Sequence, residues 1–454
     1  MMAATAIAAM RPSIRGNDGV QNYAYVRSAV IDHDLDFTND YAHYMALQPV
    51  WFDNRELARD PVTGLPINLY GVGCALLWSP WVVTAHGLTS ALSPVWGPAD
   101  GFGRPYETAV GLATCAYASL GLWFLFATLR TRFGDERSVW AIALVWLGSP
   151  LFFYMYLHPS MSHGNAFFLS AATLAVASGG DGLRRRAAAG AIAGFMALNR
   201  FQDVALLAFV PVFDIARRRL RADGGAGLTP PPAPASRVLA GYALAAAAAI
   251  LAFSPQTVAW KVLQGTALSG PRAYTTQGRL NPFAPVHLLD GLFSAHHGLF
   301  HWHPALLLGL VGLLIAPGRA GALKLAALAA FAAQAYVIGC WSHWSAGSSF
   351  GQRMFISAFP FLAVGAAAAM GSVKGRGRPW GIVARVTVIA AVFWNVGLMA
   401  QFGFGLIPRQ KPVPISTLAY NNAVRLPAMA WARLTGGATP DTPLTNPDDP
   451  MPAP

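Results

Sequence analysis

GLRRRAAAGAIAGFMALNRFQDVALLAFVPVFDIARRRLR, residues 182–221, decides how the chain is threaded. Two arginine clusters, Arg184 to Arg186 and Arg217 to Arg221, bracket an apolar run that is interrupted at Asn199, Arg200, Gln202 and Asp203. One long helix across the run would put the clusters on opposite sides of a bilayer. Cytoplasmic loops collect Lys and Arg, so both clusters are assigned inside, and the run becomes two short helices broken at Asn199–Asp203. A charged residue this close to lipid is costly and usually faces a cavity or a partner.

The rest of the chain supports a membrane reading. Of 454 residues, 54% are hydrophobic and 11% charged, against about 25% charged in a soluble domain. Mean hydropathy is +0.41. Apolar stretches of membrane-crossing length recur, which predicts an all-α polytopic membrane protein of about ten transmembrane helices. The expected spans are 107–129, 137–157, 162–179, 186–199, 203–217, 238–259, 303–317, 322–340, 354–372 and 381–402. The inner loops then hold Arg130, Arg132, Arg137, Arg184 to Arg186, Arg217 to Arg221, Arg237, Arg319, Lys324, Lys374, Arg376, Arg378 and Arg385. Their acids are Asp135, Glu136, Asp181, Asp214 and Asp223. This places the net charge of +12 on the inner side and leaves all eleven histidines on the outer one. Nucleic acid is thereby excluded as the partner of the basic charge; the partners are membrane lipids.

Outside the spans, residues 1–15 form a short apolar N-terminus, a first span truncated or partial. Residues 16–106 make a large first outer loop with surface and re-entrant helices, 107–402 the transmembrane domain, and 403–454 an outer, Pro-rich, partly disordered tail with turns at PDTP and NPDDP. The segment 70–92 contains Pro80 beside Trp78 and Trp81, so it is read as interfacial or re-entrant; the other reading is an ordinary span with flipped early topology. Cys74, Cys115 and Cys340 are read as core thiols.

Four outer segments carry candidate chemistry. In residues 16–41, apolar positions at helical spacing predict an amphipathic surface helix over 19–31, with Asp18 placed to cap it. Asp32, Asp34 and Asp36 follow as a solvated turn. LHPSMSHGN holds His158, His163 and Asn165, either site groups or caps of a helix hairpin. NRFQD holds Arg200, whose guanidinium can fork onto a phosphate or pair structurally with Asp203, and Gln202. The last segment is a pair of linked patches. SAHHGLFHWHP carries His296, His297, His301 and His303, whose spacing is not that of a zinc motif. WSHWSAGSSFGQR carries Trp341, His343, Trp344, Gln352 and Arg353, with a Gly/Ser stretch able to bring backbone N–H groups to an anion. The tryptophans suit interface anchors or a stacking surface.

NDGVQNYAYVRSAVIDHDLDF (residues 17–37) and TGLPINLYGVGCALLWSPW (residues 63–81) resemble the first outer loop of GT-C glycosyltransferases. The closest pattern is that of bacterial relatives of protein O-mannosyltransferases and of the lipid A aminoarabinose transferase. Asp18 stands where that superfamily opens the loop with an acid, flanked here by Asn17 and Gly19 and not by a second acid. Leu65, Pro66, Tyr70 and Trp78 match the later element. The resemblance covers roughly residues 16–400. It implies a GT-C fold and transfer of a sugar from a polyprenyl-phosphate donor to a glycan, lipid or protein acceptor, with inversion. It also implies a multi-pass inner-membrane location with the site facing the periplasm or outside. On that basis Asp18 is the catalytic base and Arg200 and Arg353 hold the donor phosphate. His297, Gln202, Asp203, His158 and Gln352 support them. No cofactor is otherwise called for, and a divalent metal is left open. The alternatives are a multi-span transporter, suggested by the broken helices at 199–203, and a non-catalytic membrane assembly protein.

Overall fold

The computed structural model describes residues 8–47, 58–179, 182–222, 234–276, 278–315, 320–370 and 378–436. Among these the fold is helical, and the only β features are the isolated bridges Arg59–Pro66 and Leu280–Trp341. The main helices are α1 (Gly16–Arg27), α2 (Thr38–Leu47), α3 (Gly73–Ala91), α4 (Arg104–Phe133), α5 (Asp135–Leu147), α6 (His163–Ser178) and α7 (Leu183–Asn199). They continue as α8 (Phe209–Ala222), α9 (Ala235–Gln264), α10 (Leu307–Ile315), α11 (Gly321–Gly339), α12 (Phe359–Ala369) and α13 (Arg378–Gly403). Helix stands at every one of the expected spans. Among the described residues, four helices are long and apolar enough to cross a membrane: Arg104–Phe133, Ser236–Gln264, Gly321–Gly339 and Gly381–Gly403. At 30 residues α4 rises about 45 Å, more than the hydrocarbon thickness.

The chain forms two compact units. One comprises Met1–Thr128 with Tyr154–Gly278, the other Leu129–Phe153 with Arg279–Pro454. In the first, α7 and α9 lie so close that a Cβ on Gly190 or Gly194 would strike the backbone of Ala245 or Ala249. Small residues four apart on both helices permit that approach, the packing that lipid-embedded helices favour. In the second unit, Gly309 and Gly312 of α10 meet Leu362 and Gly365 of α12 in the same way.

Several expectations change. The predicted surface helix is α1, but protein covers both its faces: Val20, Tyr23, Ala24 and Val26 are buried, and so are Gln21, Asn22 and Arg27. Gln21 on its polar face finds hydrogen-bond partners inside the protein, whereas the Asn22 amide is buried without one among the described residues. The Asn68 side-chain amide donates to the Gln21 carbonyl at 2.8 Å, and the Leu69 N–H donates to Gln21 Oε1 at 2.7 Å. Asp18 is not the helix cap; Arg15 holds that position and Asp18 lies in the first turn. Segment 70–92 folds as one helix, α3, running through Pro80 without interruption. The expected span 137–157 is interrupted: α5 stops at Leu147, and Asn395 Nδ2 donates to the freed carbonyls of Leu147 (2.8 Å) and Ser149 (2.9 Å). The span 203–217 begins as a 3-10 helix, Phe201–Ala208, and 303–317 and 354–372 also open with 3-10 turns. All three cysteines are free and buried, as expected of core thiols. The tail beyond residue 436, residues 1–7 of the N-terminus, and Asp181, Asp223, Arg319, Lys374 and Arg376 of the charge pattern lie outside the described residues.

Candidate active site

In the first unit, the first turn of α1 rests on the segment that links Leu157 to α6. Ser160 Oγ accepts from the Arg15 N–H at 3.3 Å, and a Cβ on Gly19 would come within 2.6 Å of that hydroxyl. The His158 ring lies beside Gly16 and stacks on Tyr154. A side chain at position 19 would have to displace the Ser160 hydroxyl, so Gly19 lets the first turn of α1, which carries Asp18, pack closely on this segment. The half-buried Asp18 carboxylate accepts the Tyr70 hydroxyl at 2.6 Å.

Tyr70 leads into Gly71 and Gly73. A Cβ on either would collide with the backbone of Leu198 or Asn199, at the C-terminal end of α7. Gln256 Oε1 receives the Val72 N–H at 2.9 Å, and Cys74 Sγ lies 3.0 Å from Asn199 Oδ1. This contact carries the Asp18–Tyr70 pair toward the next residue of the chain, Arg200.

Arg200 supplies the break expected within 199–203. Its backbone is extended (φ −153°, ψ 105°), ending α7 and starting the 3-10 helix. Nη1 donates to His163 Nδ1 at 2.6 Å, and Nε stands 3.5 Å from Asp203 Oδ2. With 10% of its side chain exposed, the guanidinium lies among protein groups and not in lipid. The Arg200–Asp203 pair weighed from the sequence is therefore present, with His163 as an additional partner. Gln202 is buried, and its N–H donates to Tyr274 at 3.0 Å. Asp18, His158, Arg200, Gln202 and Asp203 thus all belong to the first unit.

Arg353, Gln352 and His297 belong to the second unit. Three residues of the Gly/Ser stretch, Ala346, Gly347 and Gly351, have positive φ. They fold the stretch back so that Arg353 Nη2 donates to the Ala346 carbonyl at 3.3 Å, with Arg353 buried. The Gln352 amide donates to Trp344 O at 2.9 Å while its carbonyl caps Met354 N, so this side chain holds the loop. His297 also has positive φ (66°). Burial pushes its imidazole down to about 4, so it is neutral at pH 7. Nδ1 lies 2.9 Å from the Ser345 carbonyl and so carries the proton, leaving Nε2 as a buried acceptor. Neutral His297 cannot supply positive charge to a phosphate. Of the other three histidines of that patch, His301 faces the Val413 carbonyl and His303 faces Asn395, while the His296 ring meets Trp344 edge-on. Among the described residues no three His, Cys, Asp or Glu side chains gather as a metal site, and Asp18 offers a single carboxylate. Trp341 is buried, which removes it as a membrane-interface anchor.

A groove of about 870 Å³ runs between α3 and α4, walled by Pro80, Trp81, Leu88, Trp96 and Leu112, with Arg104 at its rim.

Sequence reading missed the partners that aim these groups: Tyr70 on Asp18, His163 on Arg200, Tyr274 on Gln202. His163 and Tyr70 were visible as polar residues at apolar boundaries, but nothing in the sequence paired them.

The sequence matches no protein-family model and no curated protein. Solved structures do match. ArnT from Cupriavidus metallidurans in the apo state aligns at TM-score 0.50 and 16% identity, over 95% of this chain and 71% of that one. The same protein bound to undecaprenyl phosphate aligns at TM-score 0.52 and 15% identity with the same coverage. A looser likeness, TM-score 0.43 at 14% identity, covers all of this chain and 60% of the Archaeoglobus fulgidus oligosaccharyltransferase. The chain therefore shares its fold with the two ArnT structures.

Proposed function

We propose that this protein is a glycosyltransferase that moves a sugar from a polyprenyl-phosphate donor to an acceptor hydroxyl on the outer face of the inner membrane. The observation that carries the reading is Asp18. One carboxylate opens the first loop and is held by the Tyr70 hydroxyl, and the chain just after Tyr70 packs on residues 198 and 199, next to Arg200. Asp18 takes the proton of the acceptor hydroxyl as its oxygen attacks the anomeric carbon. The bond from that carbon to the phosphate oxygen breaks, and the lipid phosphate departs with the electron pair. One displacement inverts the anomeric centre. The Arg200 guanidinium offers donors to the leaving phosphate, with His163 and Asp203 fixing its plane. Positioned charge of this kind acts where charge develops in the transition state.

Arg353 is the other arginine assigned to phosphate, and Arg353→Lys tests it. His297, as a neutral acceptor, suits the acceptor hydroxyl better than the phosphate. The apolar groove between α3 and α4 has the walls a prenyl chain needs, and one of the ArnT structures of the same fold holds undecaprenyl phosphate.

The test is incubation of the purified protein with radiolabelled polyprenyl-phosphate sugars and a panel of glycan, lipid and peptide acceptors. Transfer of label by the wild type and its loss in Asp18→Asn is the expected result. Undiminished transfer by Asp18→Asn removes the proposed mechanism. Failure of every lipid-linked donor while a nucleotide sugar works removes the donor class.

A further inference from the structure

A second site lies in the first unit, away from Asp18. Gly190 faces Ala245 and Gly194 faces Ala249, so α7 and α9 run parallel and their N-terminal ends lie together. Asp214 of α8 binds Arg186 of α7 at 2.7 Å and accepts Tyr242 of α9 at 2.7 Å, which brings the C-terminal half of α8 to that same end. The short link from Ser178 to Leu183 adds the last turn of α6. One end of this helix group thus collects Arg184, Arg185, Arg186, Arg217, Arg218, Arg219 and Arg237, with Asp214 as the acid among the described residues. The threading assigns it to the cytoplasmic side. Asp214 is buried and engaged by Arg186, with Arg217 at 3.8 Å, so its charge is already matched. Arg185 is exposed and has no acid partner among the described residues; its guanidinium lies over Gly179, at the C-terminal end of α6.

Between these helices is a cavity of about 290 Å³. Ala193, Leu207 and Val210 wall it, Arg186, Tyr242 and the Asp214 carboxylate they engage are fixed in its side, and Arg185 stands on its lining. The volume is at the small end for a ligand pocket, enough for part of one chain. Apolar walls with an exposed arginine that has no acid partner among the described residues suit neither a sugar nor a free anion. They suit an amphiphile. Basic pockets between membrane helices on the cytoplasmic side hold anionic lipid headgroups.

We propose that this cavity binds an anionic phospholipid of the surrounding bilayer, one acyl chain lying along Leu207 and Val210 and the headgroup phosphate on Arg185. Arg186, locked to Asp214 and Tyr242, forms the wall and does not bind the headgroup. The site is independent of the transferase reading.

The test is native mass spectrometry of the full chain from nanodiscs of phosphatidylglycerol or phosphatidylcholine, with size-exclusion profiles as the folding control. Phosphatidylglycerol should be retained preferentially. Arg185→Gln should cut that retention about fivefold, the worth of one arginine near a lipid surface, and leave phosphatidylcholine unchanged. Val210→Trp, which fills the cavity, should cut both. Arg237→Gln, at the same end but off the lining, should cut neither. Equal retention of the two lipids by the wild type overturns the proposal. So does an Arg237→Gln loss as large as that of Arg185→Gln, which would mean diffuse charge and not a built site. Displacement of the lipid by millimolar inorganic phosphate would make it a free-anion site and also overturns it. If Val210→Trp fails to fold, Arg185→Gln alone decides.

Discussion

At the scale of single residues, Asp18 and its neighbours make distinct demands. General-base catalysis contributes ~10²–10⁴-fold, so Asp18→Asn should lose about that much turnover in a transfer assay while the protein still folds. Tyr70→Phe removes one hydrogen bond to the carboxylate and should cost about tenfold or less. Asp34 accepts Ser28 Oγ at 2.6 Å and the Asp36 N–H at 3.1 Å, the pattern of a turn. Asp34→Asn should leave turnover near normal; a loss as deep as that of Asp18→Asn would move the base to the wrong acid. Arg353→Lys should reduce transfer because an ammonium cannot fork onto phosphate, and wild-type kinetics in that variant would take Arg353 out of the site. The helix break at Arg200 was legible because polar residues are uncommon in an apolar run, whereas Asp18 was singled out through the family resemblance and its role is a proposal. Their partners were not legible, because Tyr70 lies 52 residues from Asp18 and His163 lies 37 from Arg200.

At the scale of elements, the approach of Tyr70–Gly73 to the end of α7 depends on having no side chains at 71 and 73. Gly73→Val should lower the melting temperature and abolish transfer together, since the added carbons meet backbone that cannot yield. Retained stability with lost transfer would instead place Gly73 in the site itself. A second element-scale prediction concerns α2. Asp40 is fully buried, and burial pushes its carboxyl up to about 7 although Arg27 stands 3.3 Å away. The other groups facing it are Asp32, bound to Arg27 at 2.6 Å, with Tyr23 and Tyr44 close by. A raised folded pKa means that the folded state holds its proton more tightly than the unfolded one. The resulting stabilisation is complete below about 3.8 and is lost as pH rises through about 7. Asp40→Asn should therefore flatten the fall in melting temperature between pH 4 and 7; an unchanged slope would show that Arg27 keeps Asp40 ionised.

At the scale of the molecule, the threading makes a prediction the fold alone does not. Arg184 to Arg186 and Arg217 to Arg221 belong inside, and 18–69 and 260–300 outside. In a cysteine-free background, Thr275→Cys should react with an impermeant maleimide in intact cells, and Arg184→Cys only after permeabilisation. The reverse pattern would invert the topology and put Asp18 on the cytoplasmic face. That result would leave the fold shared with ArnT standing and remove the outer-face donor from the proposed reaction.

The sequence by itself determined the class of fold. Hydropathy and arginine placement act locally and need only the bilayer as a reference, so helix stands at every expected span and the break at Arg200 is where polar residues interrupt the apolar run. Tertiary structure decided what each polar face does. The periodicity of α1 marked an apolar stripe and suggested a surface helix, but Gln21 is paid in hydrogen bonds from residues 68 and 69, so the helix is buried. The asparagine that closes the interrupted span after Leu147 comes from position 395, and the glycines at 71 and 73 show their purpose only against residues 198 and 199. Contacts between residues this far apart are set by packing, which pattern along the chain does not encode one residue at a time.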